Sequence, residues 1–248
     1  MVPIRSYHRP VNLEAALALI GREGIDTSLL AGGTTVNAGL AGTPAEVVDL
    51  QSLGLDGISL RGSHMAIGSM VRIRDLIDHP ATPRLVAEAA AREGPNTLRN
   101  AATVGGVVAT ADPESELLAS LLVHEALVTV ADAERPTDRS LEAVLADPGS
   151  LAGGIITEIK IATGGTGDIE RTGRTPADRS IVAAVGRRTE GGLVWLALTG
   201  VAAVPVLVED PANLEGEPPG DFRGSSEYRR DLARVLGRRV LDSLEEAS

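Results

Sequence analysis

Apolar positions along this chain switch repeatedly between strand and helix spacing. Residues 4–9 fit a short strand stopped by Pro10, and Leu13, Ala16, Leu17 and Ile20 then recur at helical spacing behind a capping Asn12, with Gly21 near the end. Leu29-Leu30-Ala31 reads as a buried strand running into Gly32-Gly33, and Thr43-Pro44 as a turn before a strand over Glu46–Leu50. Ile58-Ser59-Leu60 and Met65-Ala66-Ile67, parted by Arg61-Gly62-Ser63, predict a hairpin. Helices follow over about 72–78 and 84–93, the second bounded by Pro83 and Gly94-Pro95.

A second glycine pair, Gly105-Gly106, lies in small and β-branched surroundings and is followed by the turn signal Asp112-Pro113. An apolar helical run over 116–126 and a strand near 127–130 come next. The polar stretch 132–150, with Pro136 and Pro148, predicts a loop holding one short helix around Leu141–Leu145, and Ile155–Ile161 alternates as a strand. Residues 162–178, rich in Gly, Thr and Arg, are the best candidate for a linker. Beyond them, Ser180–Arg188 and Leu193–Val208 are strand-like about a Gly191-Gly192 turn, and Pro211–Gly224 is a loop. A final helix from about 225 to 246 puts Tyr228, Leu232, Val235, Leu236, Val240 and Leu244 toward the core.

Composition narrows the chemistry. The whole aromatic set is Tyr7, Trp195, Phe222 and Tyr228, so stacking on nucleic-acid bases is hardly available, and a net charge of −11 argues against a phosphate-backbone partner. Without Cys there is no thiolate metal site, iron–sulfur cluster or disulfide, so any electrons that pass through this chain need an organic cofactor. No apolar run suits a membrane span, and no leader pattern opens the chain, which favours the cytoplasm. His8, His64, His79 and His124 are scattered without ligand spacing and read as surface or satisfied residues; no metal site is expected. Arg187-Arg188 and Arg238-Arg239 read as solvated faces, the second pair also suiting a subunit contact.

Neither glycine pair is a Rossmann or Walker motif. No G-x-G-x-x-G spacing or Gly-Lys-Ser/Thr occurs, and no helix pattern opens directly after Gly32-Gly33. Two strand-to-loop turns remain, each with main-chain N–H groups and threonine hydroxyls (Thr34 and Thr35; Thr103). Facing one another, they would hold a diphosphate without a cation, using backbone dipoles and hydroxyls. The plain alternative is ordinary turn glycines, with Asp112-Pro113, Glu114 and Glu116 forming a normal helix start.

Five segments in order resemble the FAD-binding middle subunit of the molybdenum hydroxylases, the group that includes xanthine dehydrogenase and carbon monoxide dehydrogenase. They are Tyr7-x-x-Pro10 with Leu13-Glu14-Ala15-Ala16; Ala31-Gly32-Gly33-Thr34-Thr35; Arg99-Asn100-x-x-Thr103-Val104-Gly105-Gly106 with Ala111-Asp112-Pro113; Ile155-Ile156-Thr157-Glu158-Ile159; and Arg223-Gly224-Ser225-Ser226-Glu227-Tyr228-Arg229. The resemblance implies an α+β fold. A p-cresol methylhydroxylase-type FAD-binding domain over about 1–165, in subdomains 1–55 and 56–165, is followed by an antiparallel sheet with a helix over 170–248. It implies non-covalent FAD, with Leu29, Leu30, Ala31, Gly32, Gly33, Thr34, Thr35 and Val36 facing Thr103, Val104, Gly105, Gly106 and Val107 around the pyrophosphate and ribityl chain. Glu116 stands where the family has an Asp that accepts from the ribityl or ribose hydroxyls, and Ile156 where an aliphatic side chain lies against the isoalloxazine.

The chain departs from the family pattern at Val107, where a polar residue is common, at Ile181, where some relatives carry Lys or an aromatic, and in shortened loops at 132–150 and 205–224. The implied function is electron transfer. Molybdopterin and 2Fe–2S clusters belong to a large and a small partner subunit, and the FAD passes electrons to NAD, a quinone or oxygen. No acid, base or nucleophile is expected in this chain. The departures motivate the alternative of a flavin-free scaffold of the same fold.

Overall fold

The computed structural model describes residues 4–37, 46–175 and 178–247. A three-stranded parallel sheet opens the chain, with β1 (Ser6–His8) and β2 (Thr27–Leu30) flanking β3 (Glu46–Asp49). Helix α1 (Leu13–Ile20) starts where expected, the Asn12 side chain accepting from the Ala15 N–H at 2.8 Å. Its apolar face joins Val48, Leu50, Met70 and Ile155 in a small core. The Thr43-Pro44 turn lies outside the described residues. Directly after Gly33 the chain turns into a short helix α2 (Thr34–Asn37), which the sequence pattern does not show because one turn has no periodicity to read.

The second sheet is antiparallel, in the order β4 (Ile58–Arg61), β5 (His64–Gly68), β8 (Ile155–Ala162), β6 (Leu127–Ala131) and β7 (Thr137–Ser140). The expected hairpin is β4–β5. Strand β7 was hidden in the polar stretch 132–150: it is an edge strand whose residues are half-buried or exposed, so it carries no apolar alternation. Between β5 and β6 run α3 (Ile73–Asp78), α4 (Arg84–Ala90), α5 (Asn96–Arg99), α6 (Val104–Thr110) and α7 (Glu116–Val123); α8 (Leu141–Ala146) follows β7.

The third sheet, β12 (Val206–Leu207), β11 (Val194–Thr199), β10 (Val182–Arg188) and β9 (Thr166–Thr172), is antiparallel and carries α9 (Ser226–Glu246) on one face. β9 occupies the stretch expected to be a linker. Its Gly, Thr and Arg look like loop composition, yet they pair residue by residue with β10, Thr172 opposite Val182 through Thr166 opposite Arg188. On α9, Leu236, Val240 and Leu244 are buried as expected, but Tyr228 and Val235 stay 43% and 38% exposed. The contact stripe instead takes in Ala233, Gly237 and Arg229, residues an apolar count passes over.

Helix α7 is buried on every side, all eight residues, packed against β10, β11 and β12 of the third sheet and against α4 and α8. One core cluster therefore runs from Ile67 and Ile159 through Leu118 and Leu121 to Val185 and Ala197. Arg187, expected on a solvated face, lies in this seam at 3% exposure, donating to Gly164 O, Val123 O and the Glu125 carboxylate. Among the described residues no helix is long and apolar enough to cross a membrane.

His124 at the end of α7 is buried too, and only half satisfied. Nδ1 lies 2.6 Å from Ala162 O, while Nε2 has no partner. Burial, with Arg187 nearby, holds its pKa down at about 4, against the hydrogen bond to Ala162 that pulls it up. Between that value and the unfolded-state value of 6.5 the unfolded chain binds the extra proton, so stability is present above pH 6.5 and lost as pH falls toward 4. The loss amounts to roughly 3 kcal/mol at the acid end. His124→Gln, which keeps a donor and carries no titratable group, is expected to flatten the urea midpoint against pH over this window. An unchanged slope would refute the assignment.

Candidate functional site: a cleft between the two glycine motifs

Strand β2 ends in Ala31, and the chain must then pass hard against the residues before α6. A Cβ on Gly32 would lie 1.9 Å from Ala101 O, so only glycine fits there. Gly33 follows with φ +73°, the left-handed region that glycine enters without steric cost. The turn of chain before α6 is fixed from the other side by segment 69–73: Ile73 N–H donates to Ala102 O, Val104 N–H to Val71 O, and Gly105 N–H to Ser69 O. A Cβ on Gly105 would come within 2.7 Å of Ser69 Cβ. The two motifs thus meet, and Thr35 Oγ1 and Thr110 Oγ1 stand 3.4 Å apart across their junction.

The resulting cleft encloses about 1440 Å³, beyond the roughly 300–1,000 Å³ of ordinary small-molecule pockets and suited to an extended ligand. Of the residues singled out in the sequence, Leu29, Ala31, Gly32, Gly33, Thr34 and Thr35 line one wall, and Thr103, Gly105, Gly106, Val107 and Ile156 line the other. Leu30 and Val104 stand behind these walls. Val36 belongs to α2, and its side chain lies outside the described set. Ile181 is buried in the core under α9, away from the cleft.

The second motif differs from its expected form. Gly105-Gly106 is not a strand-to-loop turn but the first turn of α6, and Thr103 is its cap, accepting from Gly106 N–H at 3.1 Å. Together with the bonds to Val71 O and Ser69 O, this takes up the N–H groups of residues 104, 105 and 106. What this wall offers a ligand is the hydroxyl proton of Thr103, not its amides. On the first motif, no described residue takes up the N–H groups of Gly32, Gly33, Thr34 or Thr35, so among the described residues these are donors without a partner.

Glu116 is placed differently from the resemblance. It is 3% exposed and off the cleft wall, with Oε1 2.8 Å from Arg171 Nε and Oε2 3.3 Å from an Arg92 nitrogen. At the helix start, Ser115 caps α7 by accepting from Leu118 N–H. Glu93 supports the same turn, accepting from Ser115 Oγ and Leu117 N–H. Its own carboxyl is pushed up by burial against the pull of those two bonds.

The far end of the cleft is polar and was not anticipated. Arg92, Glu93, Arg99, Asp112, Arg171 and Arg179 line it, with Arg179 donating to Asp112 at 2.8 Å. Arg171 comes from the stretch taken for a linker and Arg179 from just beyond it, and Arg99 and Asp112 were visible only as motif letters without a role. Among the described residues there is no cluster of three potential metal ligands.

Residues 3–163 match the family described as the FAD binding domain in molybdopterin dehydrogenase. The chain belongs to this family. The likeness to relatives extends beyond that segment. YgfM of Escherichia coli (strain K12), an uncharacterized protein, is 31% identical over 248 residues, covering 94% of this chain and 93% of that one. The carbon monoxide dehydrogenase medium chain of Hydrogenophaga pseudoflava is 30% identical over 287 residues, covering 98% of each. The reconstituted CO dehydrogenase from Oligotropha carboxidovorans matches this structure with a TM-score of 0.88 at 25% identity over 100% of both chains. The expected α+β flavoprotein fold holds, and FAD is the cofactor of this oxidoreductase family. The residues present fit it: the cleft is roomy enough for a dinucleotide, one wall presents main-chain donors, and the other holds a buried hydroxyl, Ser69 Oγ, with no partner among the described residues.

Proposed function

We propose that this chain is the FAD-binding medium subunit of a carbon monoxide dehydrogenase-like molybdenum hydroxylase. In this reading it takes electrons from a 2Fe–2S partner subunit, which receives them from a molybdopterin-binding large subunit, and delivers them to an external acceptor such as NAD, a quinone or oxygen. The observation that carries it is the meeting of two distant glycine motifs on one cleft of about 1440 Å³. FAD supplies the redox chemistry when bound; the chain binds and orients it. Residues 32–35 would donate to the diphosphate, Thr103 would add its hydroxyl, and Ile156 would give the ring an apolar face. The division into a flavin unit over about 1–165 and a C-terminal unit after it is part of this reading, with β9 assigned to the second unit.

One observation favours the flavin-free scaffold instead: the second motif has its first three amides already bonded within the protein. Titration decides between them. The purified full-length chain is expected to carry, or to take up from added FAD, one equivalent of flavin with its visible absorbance band. A colourless protein that takes up none would support the scaffold. Co-purification of a 2Fe–2S and a molybdopterin subunit with the tagged chain tests the electron route, and a chain that isolates alone while reducing its own substrate would overturn it.

A further inference from the structure

We propose that the Ser69 hydroxyl donates a hydrogen bond to the FAD held in this cleft, a contact that neither glycine motif supplies. The proposal rests on the flavin reading above. Ser69 is 3% exposed, belongs to the cleft wall, and its Oγ has no hydrogen-bond partner. Of the described side chains with such an orphaned buried atom, only Ser69 and Arg99 belong to that wall, and the Arg99 guanidinium is otherwise held by Gly94 O and the Asn96 amide oxygen.

The position of Ser69 is set by its backbone. Its N–H donates to Thr157 O at 3.0 Å, beside Ile156, and its carbonyl accepts from Gly105 N–H at 2.9 Å. Ser69 is therefore pinned between the strand that would carry the ring and the helix turn that flanks the diphosphate. On this wall the amides of residues 104–106 are consumed, so hydroxyls are the polar groups left to meet a ligand. Alanine would make the same two backbone bonds and bury no polar atom, whereas a buried hydroxyl without a partner is destabilising. The free protein gains nothing visible from Oγ; a polar atom of a bound dinucleotide would give it a partner.

The test separates a ligand from a structural residue by the sign of two measurements on the full-length chain, wild type and Ser69→Ala. FAD titration, followed by quenching of flavin fluorescence, is expected to show about tenfold weaker binding in the variant. The urea midpoint of the FAD-free protein is expected to stay equal or rise. A variant that binds FAD as tightly as wild type overturns the contact, and so does one whose FAD-free form is destabilised in parallel with its loss of affinity. A wild-type chain that takes up no FAD overturns the underlying flavin reading as well, which the wild-type titration alone reveals.

Discussion

Gly32→Ala is expected to cost the protein at least the upper end of the roughly 1–3 kcal/mol typical of overpacking, and to weaken FAD binding by roughly 100-fold or more. The added carbon would stand 1.9 Å from Ala101 O. That atom is backbone, held in the segment that pairs with residues 69–73, so no side-chain rotation relieves the clash. The only escape is to part the two motifs, and their contact is what forms the cleft. Gly33→Ala, by contrast, meets a left-handed backbone at φ +73° and should cost about 1 kcal/mol. Urea midpoints and FAD titrations of the two variants check the ordering. Equal effects would mean that the motifs do not press on each other as the geometry requires.

The second large effect is expected at Glu116. Removing one partner of a buried ion pair leaves the others uncompensated, at about 3–5 kcal/mol for a fully buried pair. Arg92 keeps 29% side-chain exposure and Arg171 16%, so Glu116→Ala should fall at the low end of that range. Glu116→Gln keeps the shape and one acceptor and should lose less. The resemblance gives this carboxylate to the ribityl or ribose hydroxyls, whereas the structure turns both its oxygens to arginines. Retention of FAD affinity within about threefold in Glu116→Gln would agree with the arginine pairing. A tenfold loss in that variant, with stability intact, would return the carboxylate to the cofactor.

Much of the fold was legible because most elements have periodic apolar positions. α1, the β4–β5 hairpin, β8 and β10 announced themselves through alternation, helical spacing or a capping residue. What could not be read is what depends on pairing. β7 and β9 are built of Thr, Asp, Arg, Glu and Gly, and become strands only because an apolar neighbour supplies the ladder. The site divides the same way. Gly-Gly pairs are conspicuous, and their meeting was expected. That Gly105-Gly106 opens a helix was not, since β-branched and glycine residues are poor helix formers and the turn forms only under the bonds from Thr103, Ser69 and Val71. Ser69 follows a hairpin with no motif around it, so nothing local marks it. Arg171 reaches the cleft from β9, a strand the sequence conceals, and Arg179 from the connection between β9 and β10.

The all-round burial of α7 has an outcome for how this polypeptide is put together. The match to the FAD binding domain ends at residue 163, but the interior does not stop there. A fragment ending at that point would leave one flank of Leu117–Val123, and the Arg187-bound carbonyl of Val123, facing water. The flavin-binding segment thus borrows its last wall from the sheet that follows it.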